Sequence, residues 1–290
     1  MPPAWLDTLR PDDRLAAAAY ENSPAPLRAL LKSAIALYFQ LWGETPSETA
    51  HSVRNAAAGF AWERAEGPVS WTLAVMDPAY ASPARLLAAL MPAVLAGVEM
   101  ILLVWPDKPP APVQSVALDL AGLENRYVMP SAGDSAPTVT DLIRELTAQG
   151  EGRLLLFPTE RSRFSPLFQA VRETARALRV RLWQDRPAPC IALIADGADS
   201  AGEAALRDRL QWAHGDAVVQ VVSPGKRPGR NDFAACCTAR PAAFEEPAAA
   251  YAPLLLGPGM EACWVHEGLS PRFFRLARHA IRLYPDKEFS

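Results

Sequence analysis

The sequence predicts an α/β protein of two lobes, each built on a doubly wound, mainly parallel sheet. Three observations point there. The chain has 290 residues, enough for two domains of about 100 to 200 residues each. From residue 69 onward, short β-like runs alternate with helical ones. Several helical runs open with Pro or with Ser, Thr or Asp in the first turn, as helices do, and strands separated by helices pair in parallel through right-handed crossovers.

The elements follow in order. The stretch 26–62 carries apolar residues at helical spacing, among them Leu27, Leu30, Leu31 and Ile35, and reads as a helical region packed on the second lobe. Strands are expected at 69–76, 100–105, 126–129, 153–157 and 180–183, with helices at 83–96, 112–120, 139–147 and 166–178 between them. A second, shorter βαβ unit takes 190–195 as strand, 201–212 as helix and 217–222 as returning strand. The loop 223–230 holds two Pro, two Gly and three basic residues; Lys226, Arg227 and Arg230 could grip a phosphate, but such loops are usually solvated connections. Strands at 233–238 and 253–256 and a final helix at 271–283 complete the chain.

Composition narrows the function. The net charge is -3 and the basic residues are scattered, so no electrostatic footprint for nucleic acid is present. The longest apolar stretch, 86–104, is bounded or interrupted by Arg85, Pro92 and Glu99, short of a membrane span. The first residues carry Asp and Arg instead of a basic head and an apolar core, so no secretion signal is expected. Cys190, Cys236, Cys237 and Cys263 form no C-x-x-C pair, which fits a reduced, cytoplasmic protein. Eight Trp are expected to pack cores or an interface. With 50% hydrophobic and 21% charged residues, excess apolar surface predicts a homodimer, its contact supplied by Phe273, Phe274, Leu276 and Ile281 on the final helix. The other expected partner is a small molecule.

Several segments carry a family resemblance. Pro92-Ala93-Val94-Leu95-Ala96-Gly97-Val98, followed by a strand ending in Pro106, resembles the P-A-x-x-A-G-V segment and next strand of histidinol dehydrogenases. Ala121-Gly122-Leu123-Glu124 is similar to that family's A-G-V-D segment. Ile194-Ala195-Asp196, Ala198-Asp199 and Gln211-Trp212-Ala213-His214 match its I-A-D, A-D and Q-A-E-H without a gap, and Gly268-Leu269-Ser270 resembles its G-L-S. The likeness spans 25–283 with gaps. It implies the fold shared with aldehyde dehydrogenases: two incomplete Rossmann-like lobes, 68–188 and 15–67 plus 189–290.

The resemblance also implies chemistry. Gln211 and His214 lie three apart on one helix, where side chains share a face, and correspond to the family's zinc ligands; both are expected to face the crevice between the lobes. His279 is a weaker stand-in for the family's last histidine, its other reading being a helix-face residue. Zinc takes about four ligands, usually at least three from protein, and the family's acidic G-D-Y and N-H-v-L-P-T stretches have no counterpart between Gly259 and Cys263, where Glu261 is the one carboxylate. Cys263 and His266 form a lone C-x-x-H, better read as packing. The segment 238–244 lacks the family's catalytic Glu-His pair. Asp77, Thr159 and Glu160 stand where the family's glycine-rich turns bind NAD, and an acid there repels a pyrophosphate. NAD and zinc are thus both called into question. The expectation is a histidinol dehydrogenase-like protein that has lost histidinol oxidation and binds a small ligand or partner in the inter-lobe cleft. The alternative is an active NAD-dependent oxidoreductase on another substrate, with Glu160, Glu245 or His214 as acid or base.

Overall fold

The computed structural model describes residues 1–43, 48–55, 59–130, 137–194, 200–222, 233–238 and 252–283. After a 3-10 turn at Ala4–Leu9, α1 (Asp13–Asn22) and α2 (Ala25–Trp42) lead into β1 (Thr49–Asn55) and β2 (Phe60–Pro68). Then come β3 (Trp71–Met76), α3 (Pro83–Leu95), β4 (Ile101–Pro106), α4 (Pro112–Leu120), β5 (Arg126–Met129), α5 (Val139–Ala148), β6 (Gly152–Phe157), α6 (Pro166–Ala177) and β7 (Arg181–Gln184). The remainder is β8 (Cys190–Ile194), α7 (Ser200–His214), β9 (Val218–Val222), β10 (Ala235–Thr238), β11 (Leu254–Leu256), a 3-10 turn at Pro271–Phe274 and β12 (Arg275–Leu283).

The first sheet runs β5-β4-β3-β6-β7, with every pair parallel. β3, β4 and β6 are apolar runs, buried on both sides as central parallel strands must be. Ala74, Met76, Leu103, Trp105, Leu155 and Phe157 pack against α3 on one face. Leu73, Val75, Leu154 and Leu156 meet Leu142, Ile143 and Phe168 of α5 and α6 on the other. The second sheet, β11-β10-β8-β9, is also parallel. The α/β class with parallel sheets is therefore as the sequence predicts.

α3 is the spine. It opens on Ser82, whose Oγ accepts the Arg85 N–H, followed by Pro83, and all its residues except Val94 are buried. A helix apolar all round belongs inside. One stripe, with Leu86, Leu90 and Ala93, faces the first sheet. The other, with Leu87, Met91 and Leu95, packs on Leu31 and Tyr38 of α2, Leu210 of α7 and Ile191 of β8.

Two expectations are corrected. The helical region expected over 26–62 ends at Trp42, where Gly43 closes α2 at φ 62, and β1 and β2 follow as an antiparallel hairpin. The final helix expected over 271–283 is a 3-10 turn followed by β12, which pairs antiparallel with β2 from Arg275↔Pro68 to Leu283↔Phe60. Its apolar spacing fits a helix as well as a strand. What decides is the β2 edge, two hundred residues away, whose backbone donors and acceptors need a partner. Phe274 is buried instead of lying on an exposed helix face. Loop 223–230 lies outside the described residues. None of the four cysteines forms a disulfide, and no helix among the described residues is long and apolar enough to cross a membrane.

Ion pairs on Arg85 tie the lobes together. This fully buried guanidinium, in the first turn of α3, pairs with Asp185 after β7 at 3.3 Å and with Asp216 after α7. It also donates to the Arg186 carbonyl at 2.8 Å. Tyr80 donates to Asp185 at 2.7 Å, and Asp216 accepts the Ala188 N–H at 3.0 Å. Truncating one partner leaves buried charge uncompensated. Arg85→Ala is therefore expected to lower the free energy of unfolding by about 3 to 5 kcal/mol. Arg144→Ala, which breaks an exposed i,i+3 pair with Asp141, should cost under about 1 kcal/mol. Urea denaturation of both variants measures the difference.

Candidate functional site

In the first sheet the chain builds outward from β3 to β5, then returns to add β6 on the other side of β3. The carboxyl ends of β3 and β6 are therefore a topological switch point, where open α/β sheets form a ligand crevice. A cavity of 440 Å³ opens there, lined by Asp77, Ala79, Asp107, Lys108, Ser162 and Ser165 among others. Asp77 and Thr159 meet at its base, the Thr159 hydroxyl donating to Asp77 Oδ2 at 2.8 Å. Asp77 Oδ1 accepts the Ala79 N–H at 2.8 Å. The Thr159 N–H donates to Ser162 Oγ at 2.9 Å, and the Ser162 N–H to Thr159 Oγ1 at 3.3 Å. Asp107, at the end of β4, holds a φ of 61, a left-handed conformation that Asp tolerates better than most residues.

These bonds test the fit of a dinucleotide. Pyrophosphate at such a turn is held by free backbone N–H groups. Here the N–H groups of Ala79, Thr159 and Ser162 are already bound to side chains of the same turns, and a carboxylate occupies the place of approach. The crevice does not fit NAD bound in the family's manner. Glu160, the third residue expected here, points away into an exposed pair with Arg163 at 3.5 Å.

Three other expected site residues are not brought together. Gln211 is exposed, and its amide donates to the Gly215 carbonyl at 2.5 Å. His214 is fully buried; its Nε2 lies 2.8 Å from the Glu261 carbonyl, its ring packs 5.1 Å from Trp264, and its Nδ1 has no hydrogen-bond partner among the described residues. His279 lies on β12, stacked on Trp62, whose indole N–H donates to its Nδ1 at 3.1 Å. Glu261 is buried against Arg209 at 2.9 Å. Among the described residues no three His, Cys, Asp or Glu side chains could hold a metal. The donor set does not fit zinc, and residues 239–244 of the segment lacking the Glu-His pair lie outside the described residues.

Sequence reasoning missed the residues around the lobe junction. His266 is buried between Trp183 and Trp264, with Nε2 2.9 Å from the Arg85 carbonyl and Nδ1 3.8 Å from Asp185. The Ser82 hydroxyl donates to the Ala213 carbonyl at 3.2 Å. Gly215 sits where an added Cβ would lie 2.2 Å from the Ala81 carbonyl oxygen, so the loop leaving the crevice touches the end of α7. Partners more than a hundred residues apart leave no local signal. Ser162 and Ser165 could have been found, since they follow Thr159 at the end of a strand.

The sequence matches no protein-family model and no curated protein. The structure is similar to that of histidinol dehydrogenase from Elizabethkingia anophelis, with a TM-score of 0.54 at 14% identity over 95% of this chain and 77% of that one. Weaker likenesses, which carry no argument, include succinate-semialdehyde dehydrogenase from Burkholderia pseudomallei, at TM-score 0.45 and 10% identity over 93% and 84%. Another is an aldehyde dehydrogenase from Brucella melitensis biovar abortus 2308, at TM-score 0.37 and 11% identity, where 78% of this chain spans only 45% of that one. The chain thus has a histidinol dehydrogenase-like fold.

Burial pushes the His214 pKa down to about 3, with Arg85 and His266 adding to the effect. Unfolded, the same imidazole titrates at about 6.5. The unfolded chain therefore binds the proton more readily, so stability is full above that value and falls as pH drops towards 3. His214→Gln, which cannot titrate but can still donate to the Glu261 carbonyl, is expected to flatten the fall in urea midpoint between pH 6 and 4.

Proposed function

We propose that this chain has lost histidinol oxidation and binds a small polar molecule, neutral or cationic, in the crevice at the carboxyl ends of β3, β4 and β6. The observation that carries this reading is the set of bonds from Asp77, Thr159 and Ser162 that takes up the turn amides a phosphate would need. What remains facing the cavity is carboxylate from Asp77 and Asp107, the Ser162 and Ser165 hydroxyls, one ammonium from Lys108 and an apolar wall from Leu167 and Phe168. Such a lining suits hydroxyl or amino groups on a compact body. The inter-lobe junction supports the loss of oxidation: His214 is held neutral with its Nε2 against a backbone carbonyl, and the neighbouring His266 is likewise buried with its Nε2 against the Arg85 carbonyl. Of the other candidate acid–base groups, Glu160 is exposed and paired, while Glu245 lies outside the described residues.

The chain is further proposed to form a homodimer through the three-stranded sheet β1-β2-β12. Val53, Trp62 and Ile281 lie opposite one another across its strands, with Leu283 beside Phe60. Ile281 and Leu283 are 76% and 80% exposed. A three-stranded sheet needs a covered apolar face, and a second copy offers the same apolar row about a two-fold axis. The outer strands carry His51 and Arg54 on β1, and Arg278 and Arg282 on β12. Like charge opposes edge-to-edge pairing of either strand with its own copy, which favours face-to-face packing.

Two measurements test these readings. Protein given zinc, histidinol and NAD is expected to form no NADH, and calorimetry with NAD to show no binding, whereas Asp77→Gly, which frees the Ala79 amide and the Thr159 hydroxyl, gains measurable affinity. NADH formation abolished by His214→Ala would overturn the proposal. Sedimentation equilibrium at micromolar concentration should show self-association to twice the chain mass, lost in the Ile281→Glu/Leu283→Glu variant. A single-chain mass at all concentrations rules the dimer out.

A further inference from the structure

At the opposite, amino end of the first sheet, two cavities of 430 and 590 Å³ adjoin along the backbone of residues 275–277. Six arginines line them, Arg64, Arg153, Arg179, Arg181, Arg272 and Arg275, against two carboxylates, Glu66 and Glu151. In a chain of net charge -3 this concentration of positive charge is unlike its surroundings. Glu66 is already shared by Arg64 at 2.5 Å and Arg275 at 3.2 Å. Among the described residues no carboxylate pairs with Arg179, Arg181 or Arg272, which are exposed.

The second observation is beneath them. Arg153 is 2% exposed, yet its guanidinium meets only carbonyls, those of Phe273 at 2.6 Å, Gly152 at 2.9 Å and Arg275 at 3.4 Å, and the ring of Phe273. Buried charges are ordinarily matched by an opposite charge, and no carboxylate pairs with this one among the described residues. Burial, together with the neighbouring Arg181, lowers its pKa, and the exposed Glu151 nearby only partly opposes this. An anion entering the cavity would add counter-charge to that of Glu151 and could take the paired N–H donors that the exposed arginines present to phosphate and carboxylate oxygens.

We infer that this end of the sheet binds a small polyanion, a phosphorylated or polycarboxylate molecule, through Arg179, Arg181 and Arg272 above the buried Arg153. Two adjoining cavities, each within the volume range of small-molecule sites, fit a compact ligand better than the extended basic stripe that nucleic acid requires. The site is separate from the crevice at the carboxyl ends and stands or falls independently of it.

Calorimetry at low ionic strength, with pyrophosphate and citrate as probes, tests the inference and separates phosphoryl from carboxylate ligands. Saturable binding of at least one probe is expected. It should weaken about tenfold or more in Arg181→Gln/Arg272→Gln, whose side chains are exposed so that folding is spared. Binding should stay unchanged in Arg144→Gln, an exposed arginine outside both cavities. Absence of saturable binding by either probe, equal binding by the double arginine variant, or an equal loss of binding in Arg144→Gln overturns the assignment. So does tight binding of a single-stranded oligonucleotide with neither small anion bound.

Discussion

The architecture depends on one buried charge. Arg85 sits in the first turn of the helix that both lobes share, and its guanidinium reaches the two carboxylates that stand where each lobe's sheet hands over to the next segment, Asp185 and Asp216. Desolvating an arginine is expensive, and the pairing offsets that only because Tyr80, the Arg186 carbonyl and the Ala188 N–H complete the network. A network of this kind fixes the angle between lobes more sharply than apolar packing can, since sliding by one ångström breaks hydrogen bonds in a medium without water.

That junction has a consequence for chemistry. Histidines in a cleft between two lobes would be suited to proton transfer if water and substrate could reach them. Here His214 and His266 are walled in by Trp264 and Trp183 and bound to backbone carbonyls, and burial lowers the pKa of both. The same burial that stabilises the junction removes them from solvent. Open polar surface is displaced to the two ends of the first sheet. One end is rich in carboxylate and hydroxyl groups, and the other in arginine. A parallel sheet separates its ends by construction, so two ligands of opposite character could be held without interfering.

In the crevice the turn amides are taken up by side chains of the same turns. Glycine-rich turns work because their N–H groups have nothing else to bond. Asp, Thr and Ser in those turns supply competing acceptors from their own side chains, as these residues do wherever they sit near a free amide. Asp77, Thr159 and Ser162 do so here through local bonds of 2.8 to 3.3 Å at the ends of the paired strands β3 and β6.

The sequence by itself determined the parallel core. Apolar runs of strand length at 69–76, 100–105 and 153–157, separated by helical runs that open with Pro or with Ser, Thr or Asp, admit few other arrangements, and the structure places strands at 71–76, 101–106 and 152–157. Tertiary structure alone decided the rest. Residues 275–283 have a spacing that serves helix or strand, and only the open edge of β2 selects strand. Gln211 and His214 share a helix face in sequence, yet the closeness of Trp264 and the 261–264 backbone buries one and leaves the other in solvent. Arg85 reads in the chain as a charge interrupting an apolar run; its carboxylate partners lie 100 and 131 residues further on. Local periodicity records which face of an element is apolar. It carries no record of which distant charge, edge or carbonyl that element will meet.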